Sequence, residues 1–97
     1  MEKIHYICSM DYKRIYDNLM ESRLLLKEER IKLRKRGEYF EAHHIIPISM
    51  GGEGNRYEYR HTNMVLLTGR EHYIAHALLW LIHRNREMAS AFFLCVI

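Results

Sequence analysis

His43-His44, Asn63, His72 and His76 are the residues of this chain from which chemistry could be built. His72 and His76 stand four apart, so on a helix they share one face and can both reach one metal ion. Such a site needs a third ligand from another element, and the His43-His44 pair can supply it. The other histidine of that pair then lies beside the metal as a candidate general base.

The elements that must position these residues can be read from local pattern. Asp11 can cap a helix in which Tyr12, Ile15, Tyr16 and Leu19 fall at helical spacing. The pattern predicts one basic N-terminal helix over 11–36, stopped by Gly37. Its second half carries Lys27, Arg30, Lys32, Arg34, Lys35 and Arg36 against Glu28 and Glu29. A solvated face and a phosphate-contacting surface both explain such a run. Tyr39, Phe40 and Ile45 suit a strand that Pro47 ends. A loop with Gly51, Gly52, Gly54 and Asn55 follows, and Tyr57 and Tyr59 read as packing within it. Met64 to Leu67 is a second short strand, paired with the first as a hairpin. Thr68-Gly69-Arg70-Glu71 is a capping box, so a helix starts at Gly69 and carries His72 and His76 in its first two turns. Asn85 breaks that helix before a last apolar one over 86–97. Ile4, Tyr6 and Cys8 alternate as in an edge strand or a loosely packed arm.

Composition bounds the class. The 97 residues suit one domain with a modest core, and 48% of them are hydrophobic, too many for a disordered chain. The formal charge of +3 points mildly to an anionic partner. Cys8 and Cys95 have no neighbouring partner, which rules out a cysteine zinc knuckle and fits a reduced, cytoplasmic protein. The longest apolar stretch, Tyr73 to Ile82, is too short for a membrane span. The apolar end, Ala91 to Ile97, is expected to be a packed tail, a homodimer or partner-protein contact, or a cut from a longer chain.

In order, Glu41-x-His43-His44-Ile45-Ile46-Pro47, then Gly51-Gly52, then Asn63-Met64-Val65-Leu66-Leu67-Thr68-x-Arg70-Glu71-His72 resembles the HNH endonuclease motif. Ala75-His76 and the Tyr12-x-x-Ile15-Tyr16-x-x-Leu19 segment are similar to small phage-encoded members. The resemblance is strong over about residues 39–82. It implies an α+β fold: a ββα-metal hairpin-plus-helix core over 39–84, flanked by the N-terminal and C-terminal helices. It also implies a DNA phosphodiesterase, working in the host cytoplasm if phage-encoded.

By position, the resemblance makes His43, His72 and His76 the metal ligands and His44 the general base. Asn63 ties the loop that holds the base. Glu41 orients a phosphate-binding arginine, for which Arg70, Arg23 and Arg60 are candidates. Arg34, Lys35, Arg36 and Arg70 are the expected DNA contacts. Phosphodiester hydrolysis needs a deprotonated water in line with the leaving oxygen, and a neutral imidazole near pH 7 can take that proton. Three imidazoles favour zinc, nickel or manganese over magnesium, although relatives with aspartate at the position of His43 prefer magnesium. Strand alternation sends His43 and His44 to opposite faces, so a local distortion is expected to bring both to the substrate. The chain lacks the CxxC knuckles and the separate DNA-reading module common in the family. A different class also fits the pattern: a non-catalytic nucleic-acid- or protein-binding module braced by a structural metal.

Overall fold

Asp11 starts the first helix, its carboxylate accepting the Arg14 amide at 3.0 Å. In this computed structural model, which describes residues 11–55 and 57–96 with side chains through Phe93, the helix α1 runs Tyr12–Leu25 and a second, α2, runs Lys27–Lys35. The hairpin strands β1 and β2 are Glu41–His44 and Met64–Leu67, with a short 3-10 turn at Ile48–Met50 between them. Helix α3 spans Gly69–His83 and α4 spans Arg86–Val96. The edge strand or arm suggested by Ile4, Tyr6 and Cys8 lies outside the described residues, as do the side chains of 94–97. The α+β architecture, a two-stranded antiparallel hairpin with helices around it, is the one expected.

The hairpin pairs Glu41 with Leu67, Ala42 with Leu66, His43 with Val65 and His44 with Met64. All of β2 is buried. Alternate side chains enter different clusters because successive strand residues point to opposite faces. Val65 and Leu67 pack with Tyr16, Met20, Ala75, Leu78, Leu79 and Met88, from α1, α3 and α4. Leu66 packs with Ile31 of α2 and with Phe40. One strand is thus covered on both faces by the N-terminal helical region.

That arrangement explains a correction to the single helix expected over 11–36. The chain breaks at Leu26 (φ −93°, ψ −2°), whose amide bonds Arg23 O at 3.1 Å. A straight helix would place Tyr16, Met20 and Ile31 along one side of a rod. The break lets α1 cover one face of β2 while α2 covers the other. The basic run is also divided by this geometry. Lys27 is buried, and its Nζ donates to the carbonyls of His61 and Met64 at 2.8 and 2.9 Å. Burial lowers its pKa from the ordinary lysine value. Arg30 turns inward as well, leaving Arg34, Lys35 and Arg36 exposed at the end of α2.

The elements meet at Glu71. The capping box is present: Glu71 N donates to Thr68 Oγ1 at 3.1 Å and Thr68 N donates to Glu71 Oε1 at 3.0 Å. The same carboxylate takes Arg23 Nε of α1 and Arg30 Nη1 of α2, each at 2.6 Å. Arg30 also donates to Leu66 O at 2.9 Å. Burial alone would raise the Glu71 pKa, but the bonds from Arg30, the Thr68 amide and Arg23 hold it at about 2. At its other end α3 stops at Arg84, in the left-handed region at φ 51°. Asn85 then accepts the Met88 amide at 2.8 Å and starts α4, as its position predicted. Among the described residues no helix is long and apolar enough to cross a membrane.

Glu71→Gln removes the charge while Arg23 and Arg30 stay half-buried. The expected loss is about 3 kcal/mol of folding stability, because breaking one side of a buried ion pair leaves the other uncompensated. Urea unfolding measures it; a midpoint equal to wild type would show that the carboxylate does not hold α1 and α2 to α3.

Candidate metal centre

His43 sits in the middle of β1 and is 3% exposed. It faces α3, where His72 and His76 lie one turn apart on the side turned to the hairpin. The ring of His43 is edge-on to both, with centroids 5.2 Å from His72 and 5.0 Å from His76. One ligand-competent nitrogen on each of the three lies within 4.8 Å of the others, so the cluster could hold a metal ion.

Hydrogen bonds around the cluster decide which nitrogens are free. The Tyr16 hydroxyl donates to Ile45 O at 2.7 Å, so toward His43 Nε2, 2.8 Å away, it acts as acceptor. His43 Nε2 then carries its proton, and Nδ1 keeps the lone pair. His72 Nδ1 donates to Glu41 Oε1 at 2.7 Å, which leaves His72 Nε2 as the lone-pair nitrogen. His76 Nε2 faces that atom at 3.0 Å. Outer partners that fix the tautomer and ring orientation are a regular feature of imidazole metal sites. His76 Nδ1 is buried with no hydrogen-bond partner among the described residues. Three neutral imidazoles, two of them with their far nitrogen engaged, fit a borderline divalent cation.

The electrostatics agree with neutral rings. Burial, then the neighbouring histidines, pushes the His43 pKa well below the ordinary imidazole value. Burial and His72 lower His76 from 6.5 to about 4. Hydrogen bonds from Tyr39 and His72 hold the Glu41 carboxyl below its usual range. Burial pushes the Tyr16 phenol up, so it stays a neutral donor.

His44 points away from His43. Its Nε2 donates to Gly54 O at 2.6 Å, which makes Nδ1 the lone-pair nitrogen. Gly54 adopts φ 102°, and a Cβ there would meet the His61 ring at 3.0 Å; a side chain is excluded where the carbonyl must turn toward His44. Asn63 fastens the same loop. Its Oδ1 accepts the Ile46 amide at 2.8 Å, and its Nδ2 donates to Ile46 O at 3.0 Å and Glu53 O at 2.8 Å. At Gly52 a Cβ would stand 1.7 Å from Ile46 O, so only glycine permits the approach.

The hairpin register is regular through His43 and His44. Strand β1 ends at His44 and the chain turns, so both residues line one cavity of about 290 Å³ with His72 and His76. Glu41 departs from its expected part, since its partners are His72 and Tyr39 rather than an arginine. Arg23 goes to Glu71, and Arg60 pairs with Glu28 on the surface at 2.7 Å. Arg70 is exposed, with no partner among the described residues. Arg34 lies against Tyr59, its guanidinium 4.8 Å from the ring centre, and lines a groove with Glu41, His72 and His76. Lys35 and Arg36 are exposed beyond it. Tyr16, Tyr39 and the Gly54 carbonyl were missed as site residues. Tyr16 showed helical spacing and lay in the segment similar to phage-encoded members, neither of which gives it a place beside His43, and a backbone carbonyl carries no sequence signal.

Three curated proteins of Enterobacteria phage T4 are similar to this chain. One named "Probable mobile endonuclease D" is 45% identical over 76 residues, 78% of this chain and 26% of that protein. "Probable mobile endonuclease E" is 41% identical over 85 residues, 88% of this chain and 52% of that protein. "Probable mobile endonuclease B" is 42% identical over 82 residues, 84% of this chain and 28% of that protein. The chain therefore spans between about a quarter and about half the length of these relatives. No protein-family profile matches it. No solved structure matches it.

The neutral cluster makes the metal-free protein acid-sensitive. His43 and His76 have native pKa values below the ordinary 6.5, so the unfolded chain binds more protons than the native one. Their contribution to stability is complete above 6.5 and is lost as pH falls, for His76 toward about 4. Urea midpoints measured with chelator should drop between about pH 7.5 and about pH 5, and His76→Gln should flatten the slope. A midpoint constant across that window would mean that the imidazoles titrate as if in water.

Proposed function

We propose that this chain is a metal-dependent HNH-type (ββα-metal) endonuclease domain that hydrolyses phosphodiester bonds of DNA. The observation that carries the proposal is the division of labour between adjacent histidines. His43 joins His72 and His76 around one point, while His44 lines the same cavity with its Nε2 bonded to the Gly54 carbonyl and Nδ1 left as its lone-pair nitrogen. The phage T4 relatives carry endonuclease names. They support a phage-encoded nuclease, for which the host cytoplasm is the proposed place of action.

His43, His72 and His76 would hold a divalent ion, which would supply Lewis-acid stabilisation of charge on the phosphate and the leaving 3′ oxygen. Zinc, nickel and manganese suit this donor set better than magnesium. The chain's own residues do the rest. His44 Nδ1 accepts the proton of the attacking water. The Gly54 carbonyl keeps the ring in the tautomer that can do so, and Asn63 keeps the loop carrying Gly54 against the hairpin. Glu41 and Tyr16 fix the ring orientations of His72 and His43. Arg34, Lys35, Arg36 and Arg70 attract the phosphate backbone without reading sequence.

Calorimetric metal titration beside plasmid nicking tests the assignment, with zinc, nickel, manganese and magnesium each supplied. His44→Ala should bind metal like wild type and lose ~10²–10⁴-fold in turnover, the usual contribution of a general base. His72→Ala and His76→Ala should lose metal affinity and cleavage together. Undiminished cutting by His44→Ala would remove His44 as the base; metal binding without cutting by wild type under all four ions would favour a structural site.

Charge reversal at Arg34, Lys35 and Arg36 should weaken DNA binding and reduce the slope of log affinity against log salt by about 3 or more, since each phosphate contact contributes about 0.9. An unchanged slope would make the end of α2 a solvated surface.

A further inference from the structure

The groove beside the histidine cluster has features that phosphate binding leaves unexplained. Its volume is about 610 Å³, and Arg34, Tyr39, Tyr57 and Tyr59 line it along with His72 and His76. Tyr39 is 71% exposed and Tyr57 is 70% exposed. Tyr39, expected in the first strand, and Tyr57, expected to pack within the loop, both keep most of their surface open to the groove. A buried aromatic ring is among the most stabilising contacts a small domain can make. Tyr59 is half-buried under the Arg34 guanidinium, which presents a flat cationic plane to the groove. Tyr39 is tethered as well: its hydroxyl donates to Glu41 Oε2, while Glu41 Oε1 accepts from His72. The aromatic wall is therefore joined to a residue of the histidine cluster.

Rings and a guanidinium plane recognise the faces of bases. A closed duplex hides those faces in its stack and offers mainly phosphate, sugar and groove edges. We propose that this groove stacks an unpaired nucleobase, so that the substrate of the site is single-stranded or locally opened DNA rather than a closed duplex. The inference rests on the nuclease reading above and adds the substrate class. Charge complementarity agrees: Arg34 flanks the base position, and Lys35 and Arg36 follow where the strand's phosphates continue. Tyr39 and Tyr57 are positioned to set where the strand lies relative to the histidines.

The test measures binding by the zinc-loaded full chain in a His44→Ala background. The probes are a fluorescent thymidine strand of about 12 nucleotides, the same strand with abasic central positions, and the matching duplex. The single strand should bind at least about fivefold tighter than the duplex, and Tyr57→Ala should weaken it by about fivefold or more, the loss expected for one stacked base. The abasic strand should bind weakly and be indifferent to Tyr57→Ala, because ring and base act as one contact. Tyr39→Phe, which keeps the ring but loses the bond to Glu41, should weaken binding less than Tyr39→Ala. Equal affinity for strand and duplex, or a Tyr57→Ala effect that persists on the abasic strand, overturns the proposal. Probe cleavage in the His44→Ala background would instead overturn the assignment of the base, which is read separately on a gel.

Discussion

The Glu71 carboxylate is the constraint on which the rest of the structure depends. It closes the capping box that starts α3, and it takes one arginine from each of the two N-terminal helices. Arg30 extends the contact to the carbonyl of Leu66 in the hairpin. A single half-buried charge thus sets α1, α2 and β2 relative to the first turn of α3. His72 is the next residue. Its distance from His43 on β1 follows from where this network places the helix start, and His76 follows one turn later.

Around the cluster the structure spends hydrogen bonds on orientation. Tyr16 holds His43, Glu41 holds His72, and the Gly54 carbonyl holds His44. Each bond occupies one ring nitrogen and frees the other. His43 and His72 stand in the cluster, and His44 stands outside it on the wall of the adjoining cavity. Two neighbouring residues of the same type sit in different surroundings with different outer partners. The loop between the strands is long for a small domain, yet Asn63 bonds to both ends of its first half. Its length supplies a carbonyl at the one position from which it can hold His44.

Charge is apportioned by depth. Lys27 and Arg30 spend their donors on Glu71 and on the carbonyls of His61, Met64 and Leu66. Arg34, Lys35 and Arg36, a turn further along, remain in water. The buried histidines are kept neutral by desolvation, which suits them to a cation better than to a phosphate. The neutral histidine cluster and the exposed basic residues therefore sit side by side without neutralising each other.

Local chemistry was legible in the sequence. The capping box at Thr68 and Glu71, strand Met64–Leu67 and the break near Asn85 each depend on residues within a few positions of one another. The four-residue spacing of His72 and His76 is of the same kind, since helical geometry alone places them on one face. Only the tertiary structure decided the break at Leu26, the burial of Lys27, the choice of Glu71 by Arg23 and Arg30, and the turn of Glu41 toward His72. Spacing cannot rank the partners of a charged side chain that meets several candidates from distant segments. That ranking depends on which strand faces a helix must cover, and on the cost of leaving any buried polar group unpaired.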